Sequence, residues 1–330
     1  MTLFGKKKTN QVMNHMEENI KEEDLFTFAT FEESKGEEMV FSDYSYWGST
    51  ARVFLKNRFA MILLSLLILM VLFTLIQPYL PNQYNPNTIV NDPGTGMQLR
   101  NIPPGDEFIL GTNSIGQDLW ARIWSGTRTS LFIGIMVASI QALIGITVGV
   151  LWGYIRKLDF VLTELYNILD NIPNTIVLIL ISYIMRPSIR SMIFAMCLTG
   201  WIGMARFIRN QIIIIRDRDY NVASRTLGTP VHRIVFKNLL PYLVSVIMLQ
   251  MALTIPMAIG NEVFIAYIGL GLPVNIPSLG NLINEGRVLA TSPALRYQLL
   301  YPTIFLSFIT ISFYIIGNAF SDAADPKNHM

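Results

Sequence analysis

The sequence predicts an all-α integral membrane protein with six transmembrane helices, and three observations carry the prediction. Charged residues make up only 15% of 330 positions against 52% hydrophobic ones, where a soluble domain carries about 25% charge. Those charges crowd into a few stretches and leave long runs with none, the pattern of a polytopic chain. Lys and Arg then divide unevenly between alternate ends of the runs, as orientation in a bilayer requires.

Taken in order, residues 1–45 are polar and acidic, with Glu17, Glu18, Glu22, Glu23, Glu32, Glu33, Glu37 and Glu38, and read as a flexible cytoplasmic tail. A docking role for Phe26, Phe28 and Phe31 is the alternative. Lys6–Lys8 is followed by polar sequence rather than an apolar core, so no cleavable signal is expected. Residues 46–58 mix Tyr46, Trp47, Val53, Phe54 and Leu55 with Arg52, Lys56 and Arg58, which suits an interfacial lead-in helix.

The six spans follow: Phe59–Ile76, Thr129–Ile155, Leu162–Met185, Ser191–Ala205 with room to extend towards Ile212–Ile215, Leu239–Asn261, and Tyr297–Ser321. Val263–Asn284 is also free of charge, but Gly269, Gly271, Pro273, Pro277 and Gly280 argue against a seventh. A helix in lipid has no water to satisfy broken backbone bonds, so this stretch reads as a re-entrant or surface segment. With the N-terminus inside, 13 Lys and Arg lie near inner span ends and 7 near outer ones. Both termini are then cytoplasmic, Pro78–Arg128 is outside, and the loop between spans four and five is inside.

The net charge of +2 reflects this topology and gives no sign of nucleic-acid binding. The one cysteine, Cys197, lies in an apolar run, reads as a small buried hydrophobe, and can form no disulfide within the chain. His15, His232 and His329 stand far apart without metal-ligand spacing.

The inside loop, residues 216–241, reads as helix, turn, helix. Tyr220, Ala223, Ser224 and Leu227 fall on one face at spacings of three and four. Gly228 supplies a stop, Thr229 an N-cap and Pro230 a first helical position. Ile234, Val235 and Leu239 then give the second helix an apolar stripe that runs to Pro241. Such an elbow, fixed to two spans, can transmit force; an ordinary amphipathic loop is the alternative on the physics alone.

Ala223-Ser224, then Gly228, then Leu240-Pro241 resembles the coupling-loop signature of bacterial ABC importer permeases: Glu-Ala-Ala, three residues, Gly, and a later Leu-Pro. The match departs at Val222 (Glu in the signature), Ser224 (Ala) and Asn238 (Ile), so the signature's acidic contact has no counterpart at 222. Leu110-Gly-Thr-Asn-Ser-Ile-Gly-Gln-Asp118 with Arg122, Gly126, Arg128 and Ser130-Leu131 resembles a block of the peptide-permease C subunits, with Asn113 and Gln117 for its Asp and Arg. Glu262, Gly269-Leu-Gly271, Pro277-Ser278 and Gly280 resemble that family's segment after span five, with Leu279 for its usual Trp. Gly317 through Asp322 to Asp325-Pro326 resembles its C-terminal signature, with Asn318 for Asp.

The resemblance implies the type I ABC importer permease fold, with a first span and external loop (59–128), a core (129–321) holding the coupling loop (216–241), and a cytoplasmic tail (322–330). It implies an oligopeptide-importing pore shared with a B-type permease, two cytoplasmic ATPases that bind ATP and Mg, an external substrate-binding lipoprotein, and surrounding membrane lipid. Its coupling-loop residues here are Tyr220, Ala223, Ser224, Arg225, Leu227, Gly228, Thr229, Pro230, Leu240 and Pro241. No Gly-x-x-x-x-Gly-Lys-Ser/Thr loop occurs in the sequence, so this chain is read as a transport subunit and not an enzyme. No catalytic residue, metal ligand or cofactor of its own is expected.

Candidate pore-lining groups are the polar residues inside spans. Glu164, Asn167, Asn171 and Asn174 recur at three and four as if on one face, with Asp170 beside it and Pro173 as a kink. Gln141, Gln250, Thr254, Asn261 and Glu262 join them, with hydrogen bonding between helices as the alternative role. Gly134, Gly145, Gly149 and Gly153 read as close packing. The other functional readings are import of dipeptides or nickel by the same kind of permease, and a self-sufficient secondary transporter or channel.

Overall fold

A computed structural model describes residues 46–324. The acidic tail, its phenylalanines, and residues 325–330 with Asp325-Pro326 lie outside the described residues. Helix α1 (Tyr46–Lys56) stops at Asn57, whose side-chain oxygen accepts the Ala60 N–H at 3.1 Å and so starts α2 (Arg58–Ile76). Among the described residues, five helices are long and apolar enough to cross a bilayer: Arg58–Tyr79, Leu119–Tyr154, Ile189–Arg216, Val231–Tyr267 and Tyr297–Ala324.

The second of these, α3 (Leu119–Tyr154), begins ten residues before the expected start at Thr129. The Asp118 carboxylate caps it by accepting the Ala121 N–H at 3.0 Å. Its 36 residues span about 54 Å, more than the ~30 Å hydrocarbon core, so its ends stand outside the apolar layer.

The third span departs from expectation. In place of one helix over Leu162–Met185 there are two, α4 (Arg156–Asp170) and α5 (Asn174–Ile184), bent by 72°. Pro173 has no N–H to continue the ladder, and α5, with 11 residues, is only about 16 Å long. The pair makes a sixth crossing only if taken as one broken span. Contacts hold α4 at this angle. Arg209 binds Asp159 at 2.6 Å, Arg206 donates to the Tyr166 hydroxyl, and Trp152 Nε1 reaches the Thr163 hydroxyl at 3.2 Å. Glu164, Asn167 and Asn171 therefore do not share a helical face with Asn174, which stands beyond the bend.

Helix α6 (Ile189–Arg216) opens on a capping box made by Ser188 and Ser191. It packs along α3 at three glycines spaced by four. A Cβ on Gly145 would lie 2.6 Å from that of Met204, one on Gly149 2.5 Å from the Ala205 carbonyl, and one on Gly153 2.8 Å from that of Ile212. Small residues at this spacing let backbones approach where lipid gives no hydrophobic drive.

Next come α7 (Asp219–Thr226), α8 (Val231–Ile234), a π turn (Val235–Leu239) and α9 (Leu240–Tyr267). From Val231 onward these form one continuous helix, so Pro241 does not divide the elbow's second helix from the span. Pro241 cannot donate to the carbonyl four residues back, and the helix widens instead: the Leu240 N–H bonds the Val235 carbonyl.

Span five also runs past the expected Asn261 to Tyr267, where Gly269 ends it at a φ of +84°. The Val263–Asn284 stretch is thus the last turn of α9, a loop, and the start of α10 (Leu279–Val288). Ser278 through Leu282 are buried rather than on the surface. Helix α11 (Tyr297–Ala324) closes the chain's described part.

At the end opposite the elbow, the loop after α2 is clamped to the bundle. The Arg122 guanidinium, 0% exposed, pairs with Glu285 of α10 at 2.9 Å and donates to Gln117 at 2.5 Å. Gln117 is held in turn by the Asn113 amide at 3.0 Å. Burial raises the Glu285 carboxyl above its ordinary value despite the Arg122 charge beside it. Glu262 of α9 is sealed nearby, accepting the Ser278 hydroxyl at 2.5 Å and the Ser130 hydroxyl at 2.9 Å.

Candidate functional site, an elbow joined to a polar cavity

The elbow is built as the residue types demand. Gly228 takes a φ of +80°, the left-handed conformation that only Gly adopts at little cost. Its N–H bonds the Arg225 carbonyl at 3.0 Å, and the Thr229 N–H bonds the Ser224 carbonyl at 3.0 Å. These two bonds close α7 in a Schellman motif. One detail of the expected turn is corrected: Pro230, not Thr229, is the N-cap of α8, because Thr229 spends its backbone on closing α7.

The two faces of the elbow differ sharply. Ile234, Val235 and Leu239 are buried in a cluster with Ile208, Ile212 and Ile215 of α6, Val150 of α3 and Leu243 of α9. Outward, Tyr220, Val222, Val231 and Phe236 are exposed and Leu227 is 86% exposed. Such uncovered apolar side chains, on a segment that also exposes Arg218, Arg225, Arg233 and Lys237, are the kind of surface that partners bind. Around the hinge, Arg216 donates to the Gly153 carbonyl at 2.7 Å, and Asp217 bonds Arg216 at 3.1 Å and Arg225 at 3.2 Å. Partial burial pushes the Asp217 carboxyl upward, but its bonds to Arg216 and Arg225 and the charge of Arg156 outweigh this and hold it below its ordinary value.

The two helices that leave the elbow line a cavity of about 380 Å³. From Arg216, α6 reaches Met204 after about 18 Å, and from Leu240, α9 reaches Gln250 after about 15 Å. The polar lining comes from Gln141, Asp170, Asn174, Thr175, Thr199, Gln250, Thr254 and Asn261. Gln141 donates to the Met196 carbonyl at 3.0 Å. It crosses α6 at Gly200, where a Cβ would sit 2.0 Å from the amide nitrogen. The elbow is therefore joined to the cavity wall by two helices, α6 and the helix that runs from Val231 to Tyr267.

Of the ten candidates for a pore, Gln141, Asp170, Asn174, Gln250, Thr254 and Asn261 border the cavity. Glu164, Asn167, Asn171 and Glu262 are not among its lining residues. Asn171 bonds the Asn167 carbonyl of its own helix, and Glu262 is enclosed by the two serines. Thr199 and Gly200 escaped sequence reasoning because neither stands out in an apolar run. Asn221 and Asn238 escaped it as well, although both are bonded inside the elbow.

Among the described residues the architecture is five long apolar helices and one broken pair, with an exposed elbow ahead of the helix Val231–Tyr267. Comparison with known families gives the class: residues 145–329 match the binding-protein-dependent transport system inner membrane component, and residues 45–104 match the N-terminal TM domain of oligopeptide transport permease C. The chain belongs to the binding-protein-dependent transport inner membrane component family, the membrane subunits of ABC importers with the type I permease fold.

Among curated proteins it is 37% identical to the oligopeptide transport system permease protein AmiD of Streptococcus pneumoniae, over 93% of this chain and 98% of that protein. It is 35% identical to the dipeptide transport system permease protein DppC of Bacillus subtilis, over 86% of each. A solved structure of the MetNI methionine ABC transporter aligns with a TM-score of 0.49 and 20% identity, over 61% of this chain and 97% of that one.

Proposed function

We propose that this chain forms one half of a translocation pore for oligopeptides in a bacterial cell membrane, powered by ATPase subunits that dock on residues 216–241. The other half is a B-type permease, the two ATPases bind ATP and Mg on the cytoplasmic side, and an external lipoprotein delivers the substrate. Both termini are cytoplasmic, in line with the excess of Lys and Arg at the inner span ends.

The observation that carries this reading is the elbow. It is apolar and exposed on one face, closed by Gly228, and continuous with the two helices that line the cavity. Closure of an ATPase pair against it would switch those helices between two packings. Peptide as the cargo is supported by the oligopeptide permease relative at 37% identity; the dipeptide relative makes dipeptides the second reading.

The test is transport in proteoliposomes. The whole complex, purified by a tag on this chain, is expected to accumulate labelled oligopeptide only with ATP and Mg present. Ion-gradient-driven uptake by this chain alone would refute the assignment in favour of a secondary transporter. A preference for dipeptides over longer peptides would correct the cargo.

A further inference from the structure

Asn221 is the one buried residue of α7, and none of the elbow's exposed contacts uses it. Its side-chain amide donates to the Ile215 carbonyl, 2.9 Å away in the last turn of α6. Its side-chain oxygen accepts from Asn238 Nδ2 at 3.0 Å. Asn238 sits inside the π turn that leads into α9. A single amide, 0% exposed, thus ties the end of one span, the elbow and the start of the next.

Beyond the backbone bonds at its start, such as the Arg218 N–H to the Ile215 carbonyl at 3.1 Å, the other polar side-chain contacts that tie α7 to its neighbours among the described residues are at the surface. Arg218 lies over the Tyr242 ring at 5.4 Å, and Arg225 reaches Asp217 and the Arg216 carbonyl. Those are surface contacts, which hold weakly. A buried amide with donor and acceptor both used is directional as an apolar contact is not. The coupling-loop signature that this loop resembles has Ile where Asn238 stands, and Ile cannot bond Asn221.

We infer that Asn221 and Asn238 are positioning residues for energy coupling: they lock α7 to both neighbouring spans, so that a push on the exposed face moves α6 and α9 together. Without the pair, α7 tilts on its own and the push is lost. This rests on reading the elbow as the ATPase dock.

The test uses the full complex in proteoliposomes and reads ATP hydrolysis and uptake of radiolabelled oligo-alanine peptides side by side. Asn238→Ile removes the bond and places the signature's own residue at a half-buried site. Hydrolysis is expected to persist while uptake per ATP falls about tenfold, the scale of one or two lost hydrogen bonds. Asn221→Ala should behave alike, and the double variant should be no worse than either single one.

The inference is overturned if Asn238→Ile keeps the native uptake-to-hydrolysis ratio or if the two losses multiply. Uptake and hydrolysis falling in proportion would also overturn it, since that marks a role in assembly. Should the unaltered complex take up peptide without hydrolysing ATP, the dock itself fails and this inference with it, told apart because the native chain fails too.

Discussion

Replacing Gly228 by Val isolates the elbow's geometry from its packing. A Cβ built at Gly228 meets no atom within 4 Å, so the substitution creates no clash with a neighbour. Its cost is the backbone: a φ of +80° disfavours an L-residue by about 1–2 kcal/mol, and a β-branched side chain sits at or above the upper end. Helix α7 has only eight residues and little stability of its own, so that cost falls on the two Schellman bonds at Arg225 and Ser224. A loss of this size changes the ratio of closed to frayed elbow by about 5- to 30-fold. Membrane abundance should stay normal, because no span is touched. Protection of the Thr229 amide against hydrogen exchange should fall, and ATP-dependent uptake should fall to background. Gly228→Ala should be intermediate. Normal uptake by Gly228→Val, with the faster exchange observed, would refute the idea that a rigid turn is needed for coupling.

Gly149→Leu should destabilise the bundle by about 1–3 kcal/mol through overpacking, because its Cβ would stand 2.5 Å from the Ala205 carbonyl; thermal unfolding in detergent reads this, and an unchanged midpoint would contradict the α3–α6 contact. Arg122→Met strands a largely buried carboxylate, and with 28% of the Glu285 side chain exposed the cost should sit near 3 kcal/mol, the low end for breaking buried pairs. The companion Arg122→Met/Glu285→Leu variant should recover most of that loss in the same assay. Asp217, whose folded value lies below the ordinary 3.8, adds stability that is complete above that value and lost as pH falls through the lower folded one. Exchange protection of α7 should therefore be flat from about pH 8 to about pH 5 and weaken only in stronger acid.

Legibility in the sequence followed the range of the physics involved. Charge-free runs announced the spans because lipid enforces them residue by residue, and Gly228 announced the elbow because a positive φ is a local demand. Helix ends were blurred where a polar cap lies outside the apolar run, as Asp118 does ahead of α3. The bend at the third span was visible only as Pro173; its 72° angle also depends on Arg206 and Arg209, which approach from another helix. Pairs such as Arg122 with Glu285, 163 residues apart, leave no pattern in one sequence. Asn238 looked like a mismatch to a motif until Asn221 was found opposite it.

The π turn at Val235–Leu239 sets the azimuth of all that follows it. It holds about one residue more than an α turn, so each later position is rotated by about 100° from where an unbroken helix would carry it. That offset is what directs Leu243 and Ile247 into the apolar cluster and Gln250, Thr254 and Asn261 to the cavity. Removing a single residue from the turn would spin the polar wall away from the cavity while leaving every residue of α9 in place. The widened turn beside Pro241 therefore works as a phase-setter between the elbow and the stretch of α9 that lines the cavity.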